Sequence, residues 1–495
     1  MRKRVAVETA AEAYLELLAA RGVEYFFGNA GTDFAPIIEA YARRAAQGQV
    51  LPRPITVPHE IPAIAMAHGY AMVTGRPQVV MVHVTVGTAN VAGGVINAAR
   101  SHTPILVTAG RTPLTEGGRP GARNRHIHWA QEAFDQAGMV REYVKWDYEL
   151  RLGAQLETVV DRALALAVSA PAGPVYLTLP REVLAERMTE IEYFEPPRLQ
   201  PPAARVADPT AVAEAARRLA AARQPLAIVK SSGRDPGAVA PLVALAEAAA
   251  MPVFEHYSTH LCFPQSHPLY AGDDPTPYLG EADLILVIDA DVPWFPDLAG
   301  PRPETPVIQI GEDPLFSRYP IRGFAADLAL AGAPRLTLAA LAEAVRGAGL
   351  DAPLVAERRR RWEEASRRRR EAAAERARRA ACDAFGRWSR TPPAERAQVL
   401  SLLFLIEADL ARLVRLAQPG PDSSVLGLEV LPVATLEQRA LFLDHASLIR
   451  QVLEAERAGR LPLLPVGAAW PLRRADQRPD PDPPSAGGTP ERRQP

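Results

Sequence analysis

The densest concentration of residues able to do chemistry lies between Phe27 and Asn90. Val57-Pro58-His59-Glu60 leads into an apolar helical pattern that runs to Thr74, and Met81-Val82-His83-Val84-Thr85-Val86-Gly87-Thr88-Ala89-Asn90 follows shortly after. Glu60 falls in the first turn of its helix, and Ala63, Ala65, Ala67 and Gly69 behind it are small enough for close packing. A carboxylate placed there loses water, and a desolvated carboxylate is able to exchange a proton near neutrality. The same position equally suits a carboxylate that only complements the helix dipole. His83 adds an imidazole able to shuttle protons, and His59 either lines the same place or caps the helix. His126 and His128, with Trp129, Gln131 and Glu132, form a second polar group. A two-residue His spacing in a loop with no third ligand nearby does not make a metal site, so no metal-ligating side chains are assigned.

These residues need a frame. Short apolar runs at Tyr25 to Phe27, Gln78 to Val84, Pro104 to Thr108 and Pro174 to Leu179 read as strands, and Glu60 to Thr74 and Leu156 to Ser169 repeat apolar residues at helical spacing. Alternation of this kind predicts a parallel sheet with crossover helices over residues 1–190. Pro196 to Pro209 is proline-rich and aperiodic, a linker pattern. A second unit follows over 205–350, with strands at Leu226 to Val229, Pro252 to Phe254, Leu284 to Ile288 and Val307 to Ile310. The fold class is therefore α/β, with two doubly wound parallel-sheet domains. Residues 351–390 hold two Arg tetrads, Arg358 to Arg361 and Arg367 to Arg370, interleaved with Glu357, Glu363, Glu364 and Glu371. Mixed charge at this spacing predicts a solvated connecting helix with i,i+4 pairs rather than an RNA patch. Residues 391–495 read as an atypical helical region ending in a polar, proline-rich, disordered tail.

Composition narrows the classes of function. At 495 residues, 48% hydrophobic and 23% charged, the chain is long enough for about three domains with full cores. Lys plus Arg is 56 against 57 for Asp plus Glu, so a net charge of -1 creates no field that draws in nucleic acid or an anionic membrane. Two cysteines, Cys262 and Cys382, are too few for a disulfide framework and fit a reducing compartment. No signal peptide or membrane-length apolar run is present, and the expectation is a cytoplasmic protein with neither nucleic acid nor membrane as partner.

The ordered motifs Phe27-Gly28-Asn29-Ala30-Gly31-Thr32, Pro58-His59-Glu60, Gly69-Tyr70-Ala71, His83 through Asn90, and Pro104-Ile105-Leu106-Val107-Thr108-Ala109-Gly110 resemble the pyrimidine-binding domain of thiamine-diphosphate enzymes. Within that superfamily they are similar to acetolactate synthase large subunits and benzoylformate decarboxylases. Leu269-Tyr270-Ala271-Gly272, Ala282 to Ile288 and Asp313-Pro314 extend the resemblance to the family's central domain, so that it covers roughly residues 5 to 350. The resemblance implies thiamine-diphosphate-dependent decarboxylation or carboligation of a small 2-oxo acid. It implies that Glu60 bonds the aminopyrimidine ring and drives it to the imino form that activates the cofactor, and that His83 moves protons to and from the reacting substrate. It places Gly87, Thr88 and Asn90 with Glu60 against the cofactor, and Asn29, Ala30, Gly31, Thr32, His126 and Gln131 around the substrate pocket. It further implies a homodimer or homotetramer whose sites span subunits. FAD-binding members have a Gly-rich turn near Val229-Lys230-Ser231-Ser232-Gly233-Arg234; the single Gly here argues against FAD.

The resemblance stops before the end of the chain. Family members hold the cofactor diphosphate through Mg²⁺ with a Gly-Asp-Gly triplet and a later Asn, because the hard cation takes oxygen ligands. This sequence has no Asp-Gly dipeptide and no Asn after Asn124. The alternative expectation is thus a non-catalytic homologue, truncated or frameshifted near residue 380, unable to bind cofactor by itself and pairing with an intact paralogue.

Overall fold

The computed structural model of the chain describes residues 1–390 apart from 113, 124 and 389. The helical region and tail expected over 391–495 lie outside the described residues. Contacts divide the chain into two units, Met1–Glu375 and Arg376–Pro495. The first contains two parallel sheets.

The first sheet and its helices follow the order β1 (Arg2–Ala6), α1 (Ala10–Ala20), β2 (Tyr25–Gly28), α2 (Ala35–Ala46), β3 (Arg53–Thr56), α3 (Glu60–Thr74), β4 (Val79–Val82), α4 (Val84–Arg100), β5 (Leu106–Arg111), α5 (His126–Gln131), β6 (Asp147–Glu149), α6 (Leu156–Val168), β7 (Val175–Pro180), α7 (Arg181–Leu184) and β8 (Glu190–Phe194). Six of these strands form a parallel sheet in the order β3-β2-β4-β5-β7-β6, while β1 and β8 pair antiparallel beside it. Successive side chains of a strand point to opposite faces. Val79 and Met81 accordingly join one core with Tyr14, Leu18 and Leu177, and Val80 and Val82 join the other with Val91, Val95 and Tyr176. Burial on both faces is why these strands read as continuous apolar runs rather than as alternation.

The run expected as a strand to Val84 is shorter. β4 ends at Val82, His83 caps α4, and the helix begins at Val84. Apolar residues continue through this boundary, so the run carries no mark of the turn. Val84 has φ 34°, a left-handed value that a β-branched residue rarely adopts and that costs about 1–3 kcal/mol.

The second sheet is built from α8 (Pro209–Ala221), β9 (Pro225–Val229), α9 (Val239–Ala249), β10 (Val253–Glu255), β11 (Tyr270–Gly272), β12 (Leu284–Ile288), β13 (Val307–Gly311), β14 (Leu328–Ala331) and α10 (Pro334–Gly347). Its order is β11-β10-β9-β12-β13-β14, all parallel where paired. The proline-rich linker ends where Asp208 accepts from the N–H groups of Thr210 and Ala211 to cap α8, with Pro209 in the first turn. Gly233, after β9, has a packing reason: a Cβ there would lie 2.1 Å from the Leu261 carbonyl oxygen. Lys230–Asp291 at 2.5 Å and Arg234–Asp289 at 2.7 Å tie the segment after β9 to the segment after β12.

The charged segment is one helix, α11 (Ala352–Trp388). Glu364–Arg368 and Arg367–Glu371 form the expected i,i+4 pairs. The helix is nonetheless not solvated all round: Trp362 packs against the second sheet's cores, and Arg358 and Ser366 are buried. Long basic side chains cover apolar surface with their stems, which a charge pattern does not reveal. No helix among the described residues is long and apolar enough to cross a membrane.

Candidate functional site

In an open parallel sheet, the crevice outside the carboxyl ends of the strands opens where the chain turns to opposite sides. Here that point lies between β2 and β4, with β3 on one side and β5 on the other. The segment Asn29-Ala30-Gly31-Thr32 leaves β2, His83 leaves β4, Gly110 lies near the end of β5, and Glu60 opens α3 after β3. Residues distant in sequence thus meet at one edge.

Glu60 is 4% exposed. Its Oε2 accepts from Asn90 Nδ2 at 3.2 Å, which joins the first turn of α3 to the second turn of α4. His59 is exposed and serves as the cap of α3, its Nδ1 accepting from the Ile61 N–H at 3.2 Å. Gly75, with φ 71°, ends the same helix in the left-handed conformation that favours glycine.

His83 has a partner that motif reading did not supply. Its Nδ1 lies 2.5 Å from Asp33 Oδ1, and Asp33 Oδ2 accepts from the Val84 N–H at 3.4 Å. Asp33 is 0% exposed. Two glycines make room for this pair. A Cβ on Gly31 would lie 2.1 Å from His83 Nδ1, and one on Gly110 would lie 1.9 Å from Asp33 Oδ2. One carboxylate therefore engages the imidazole and the strained residue after it. Asp33 follows the quoted Thr32 directly, but nothing in the sequence connects it with Gly110.

The hydrogen bond to Asp33 raises the pKa of His83, with the Asp33 and Glu60 charges adding to it and burial and the Arg123 charge opposing it. Since the folded value lies above the unfolded one of about 6.5, the pair contributes stability that is complete below that pH and lost as pH rises through the folded pKa. In Asp33→Asn, we expect the NMR titration midpoint of His83 to fall and this loss of stability to move to lower pH. An unchanged midpoint would show that the carboxylate does not hold the imidazole proton.

The other predicted residues separate into two groups. Asn29, Ala30, Gly31 and Thr32 border the crevice, with Ala30 and Thr32 exposed. Gly87 and Thr88 instead face the sheet. A Cβ on Gly87 would meet Val82 Cβ at 2.8 Å, and Thr88 Oγ1 donates to Val84 O at 2.8 Å while lying 2.7 Å from the Tyr176 hydroxyl. Gln136 donates to Gly110 O and to Tyr176, extending this buried network. His126 is exposed on α5. Gln131 belongs to the same helix, its carbonyl accepting from Thr85 Oγ1 at 2.6 Å and its buried Nε2 lacking a partner. His128 is turned inward, where its Nδ1 accepts from the Arg125 N–H.

The aminopyrimidine end of a thiamine cofactor fits these residues, because Glu60 offers a buried carboxylate at an open crevice. Among the described residues no three His, Cys, Asp or Glu side chains come together to hold a metal ion, and residues 391–495 lie outside them.

Comparison with known proteins agrees with this geometry. Residues 8–139 match the family model described as thiamine pyrophosphate enzyme, N-terminal TPP binding domain, and residues 212–341 match thiamine pyrophosphate enzyme, central domain. A benzoylformate decarboxylase of Pseudomonas aeruginosa is 28% identical over 353 residues, which cover 69% of this chain and 62% of that protein. A sulfoacetaldehyde acetyltransferase of Rhodobacter capsulatus is 32% identical over 57% of this chain and 45% of its own length. Among solved structures, a putative thiamin diphosphate-dependent enzyme from Mycobacterium smegmatis superposes with a TM-score of 0.57 at 25% identity, covering 68% of this chain and 63% of that one. The chain thus spans less than two thirds of the length of these relatives. With both domain descriptions matched in order, and with Glu60 and His83 brought to one crevice by the first of them, the chain belongs to the thiamine pyrophosphate enzyme family.

Proposed function

We propose that this chain takes part in the thiamine-diphosphate-dependent decarboxylation or carboligation of a small 2-oxo acid, and that residues 1–190 supply the half of the site that activates the cofactor. The observation that carries this reading is the buried Glu60 carboxylate, bonded to Asn90 and set at the crevice that His83 borders. Thiamine diphosphate, when bound, supplies a nucleophilic carbon and an electron sink. Glu60 holds and exchanges a proton at its carboxylate. Asp33, bonded at Nδ1, orients the His83 ring so that Nε2 is left to donate a proton to the substrate and take it back. Asn29 to Thr32 border the space in which the 2-oxo acid sits. The test is exchange of the cofactor's thiazolium carbon proton in deuterated water, with the full chain at saturating cofactor and Mg²⁺. Acceleration over free cofactor supports the reading. Exchange no faster than in its absence favours a non-catalytic homologue, which the sequence after residue 390 also favours through its lack of Asn and Asp-Gly.

Assembly belongs to the same proposal. Ile61 and Met66 on α3 and Val86 on α4 are large apolar side chains 41%, 49% and 52% exposed, on the helices that carry Glu60 and Asn90. Large apolar side chains left in water on these helices gain from being covered, and closed symmetric pairing is the commonest way to cover them. We expect sedimentation to show a dimer at tens of micromolar and Met66→Glu to shift it toward monomer. A strict monomer in the unmodified chain would rule this face out as a self-association surface.

A further inference from the structure

Gln136, Tyr176 and Thr88 are 3%, 0% and 0% exposed, and the hydrogens each can give fix the direction of the bonds between them. The Gly110 carbonyl only accepts, so the Gln136 atom 2.9 Å from it is the amide Nε2. The same Nε2 donates its other hydrogen to the Tyr176 hydroxyl at 3.0 Å. Thr88 Oγ1 donates its one hydrogen to the Val84 carbonyl at 2.8 Å, which leaves it an acceptor toward the Tyr176 hydroxyl 2.7 Å away. The chain therefore runs one way, from Gln136 through Tyr176 and Thr88 to Val84, with a branch from Gln136 to Gly110.

Both ends meet the Asp33–His83 pair. Val84 follows His83 directly, has the strained φ of 34°, and donates its N–H to Asp33 Oδ2 at 3.4 Å. Gly110 lies against that same oxygen, so close that a Cβ on it would come within 1.9 Å. A strained residue persists only where its surroundings over-determine it. Asp33 holds Val84 from the N–H side by one long bond, and the chain holds it from the carbonyl side. A threonine that bonds back to the carbonyl four residues earlier is a local habit of helices and needs no further partner. Here the bond continues through β7 to the end of β5, and in a dry interior each link polarises the next.

We propose that Tyr176 and Gln136 are positioning residues for His83: they fix the Val84 and Gly110 backbone on either side of Asp33 and so keep its carboxylate on the imidazole. The consequence for turnover rests on the role proposed above for His83, whereas the positioning itself can be measured without cofactor.

The test is the NMR titration of His83 in the full chain, free of cofactor, in Tyr176→Phe and Gln136→Leu. Both variants remove polar atoms of the chain and nearly keep the buried volume. The His83 midpoint should fall in each, in the same direction as in Asp33→Asn, because a carboxylate that moves off no longer favours the charged ring. Exchange of the Val84 amide with deuterated water should quicken by about tenfold. Thr108→Val is the comparison, since it removes a buried hydroxyl of the same sheet that donates to Val80 O at 3.1 Å and is no part of the chain. It should lower stability and leave the His83 midpoint in place. A midpoint unchanged in Tyr176→Phe and Gln136→Leu, or lowered as much in Thr108→Val, overturns the proposal. If neither variant folds, Thr88→Val cuts the last link before Val84 and is held to the same outcomes. A lowered midpoint in a chain that does not accelerate thiazolium proton exchange upholds the positioning role and refutes the activity.

Discussion

Glu60→Gln should return exchange of the thiazolium carbon proton to the rate of free cofactor, a loss of about 10²- to 10⁴-fold if the carboxylate works as a positioned acid-base group. The amide is nearly isosteric and can still bond Asn90, so folding and the α3–α4 contact should survive while the ability to hold a proton is lost. His83→Ala should behave differently. Its ring is bonded to Asp33 rather than Glu60, so exchange should persist while decarboxylation of a 2-oxo acid such as benzoylformate slows by a similar factor. Proton NMR in deuterated water reads the first effect and carbon dioxide release the second. Equal loss of exchange in both variants would mean that the proposed division of labour between Glu60 and His83 is wrong.

Calorimetry of the full chain with thiamine diphosphate and Mg²⁺ should give a dissociation constant weaker than micromolar. The diphosphate carries two to three negative charges, and taking such charge out of water without a metal or an equivalent cluster is prohibitive. Micromolar affinity corresponds to about 8 kcal/mol of binding free energy, which contacts to the aminopyrimidine end alone are not expected to supply. Residues 391–495 contain no Asn and no Asp-Gly pair, and no metal-holding cluster of acidic, His or Cys side chains occurs among the described residues. A Mg²⁺-dependent constant at or below micromolar would establish that this chain builds a diphosphate site from other groups.

The helix that carries Glu60 was legible before any coordinates. Its span from Glu60 to Thr74 and the small residues behind Glu60 are local features, and local features are written in consecutive residues, whereas the choice of His59 as cap rather than site-lining residue was settled by the structure. The five apolar residues of β12 were read correctly for the same reason, because a strand buried on both faces needs an unbroken apolar run. The β4 boundary was not legible, since Val82, Val84 and Val86 look alike whether the chain continues straight or turns. In α11 the charge pattern showed the helix but not that Arg358 and Trp362 are drawn into the second sheet.

What the sequence by itself determined is therefore the two parallel sheets, the position of Glu60 in the first turn of its helix, and the absence of a familiar diphosphate motif. What only the tertiary structure decided is which groups Glu60 and His83 meet. Asp33 reaches His83 because Gly31 and Gly110 leave no side chain in its way, and Gly110 comes to that place through the pairing of β5 with β4. Gly87 and Thr88, adjacent to the crevice in sequence, turn inward because the helical repeat places them over Val82 and Tyr176. Such encounters depend on strand order and helix rotation, properties of the whole sheet that no short segment encodes.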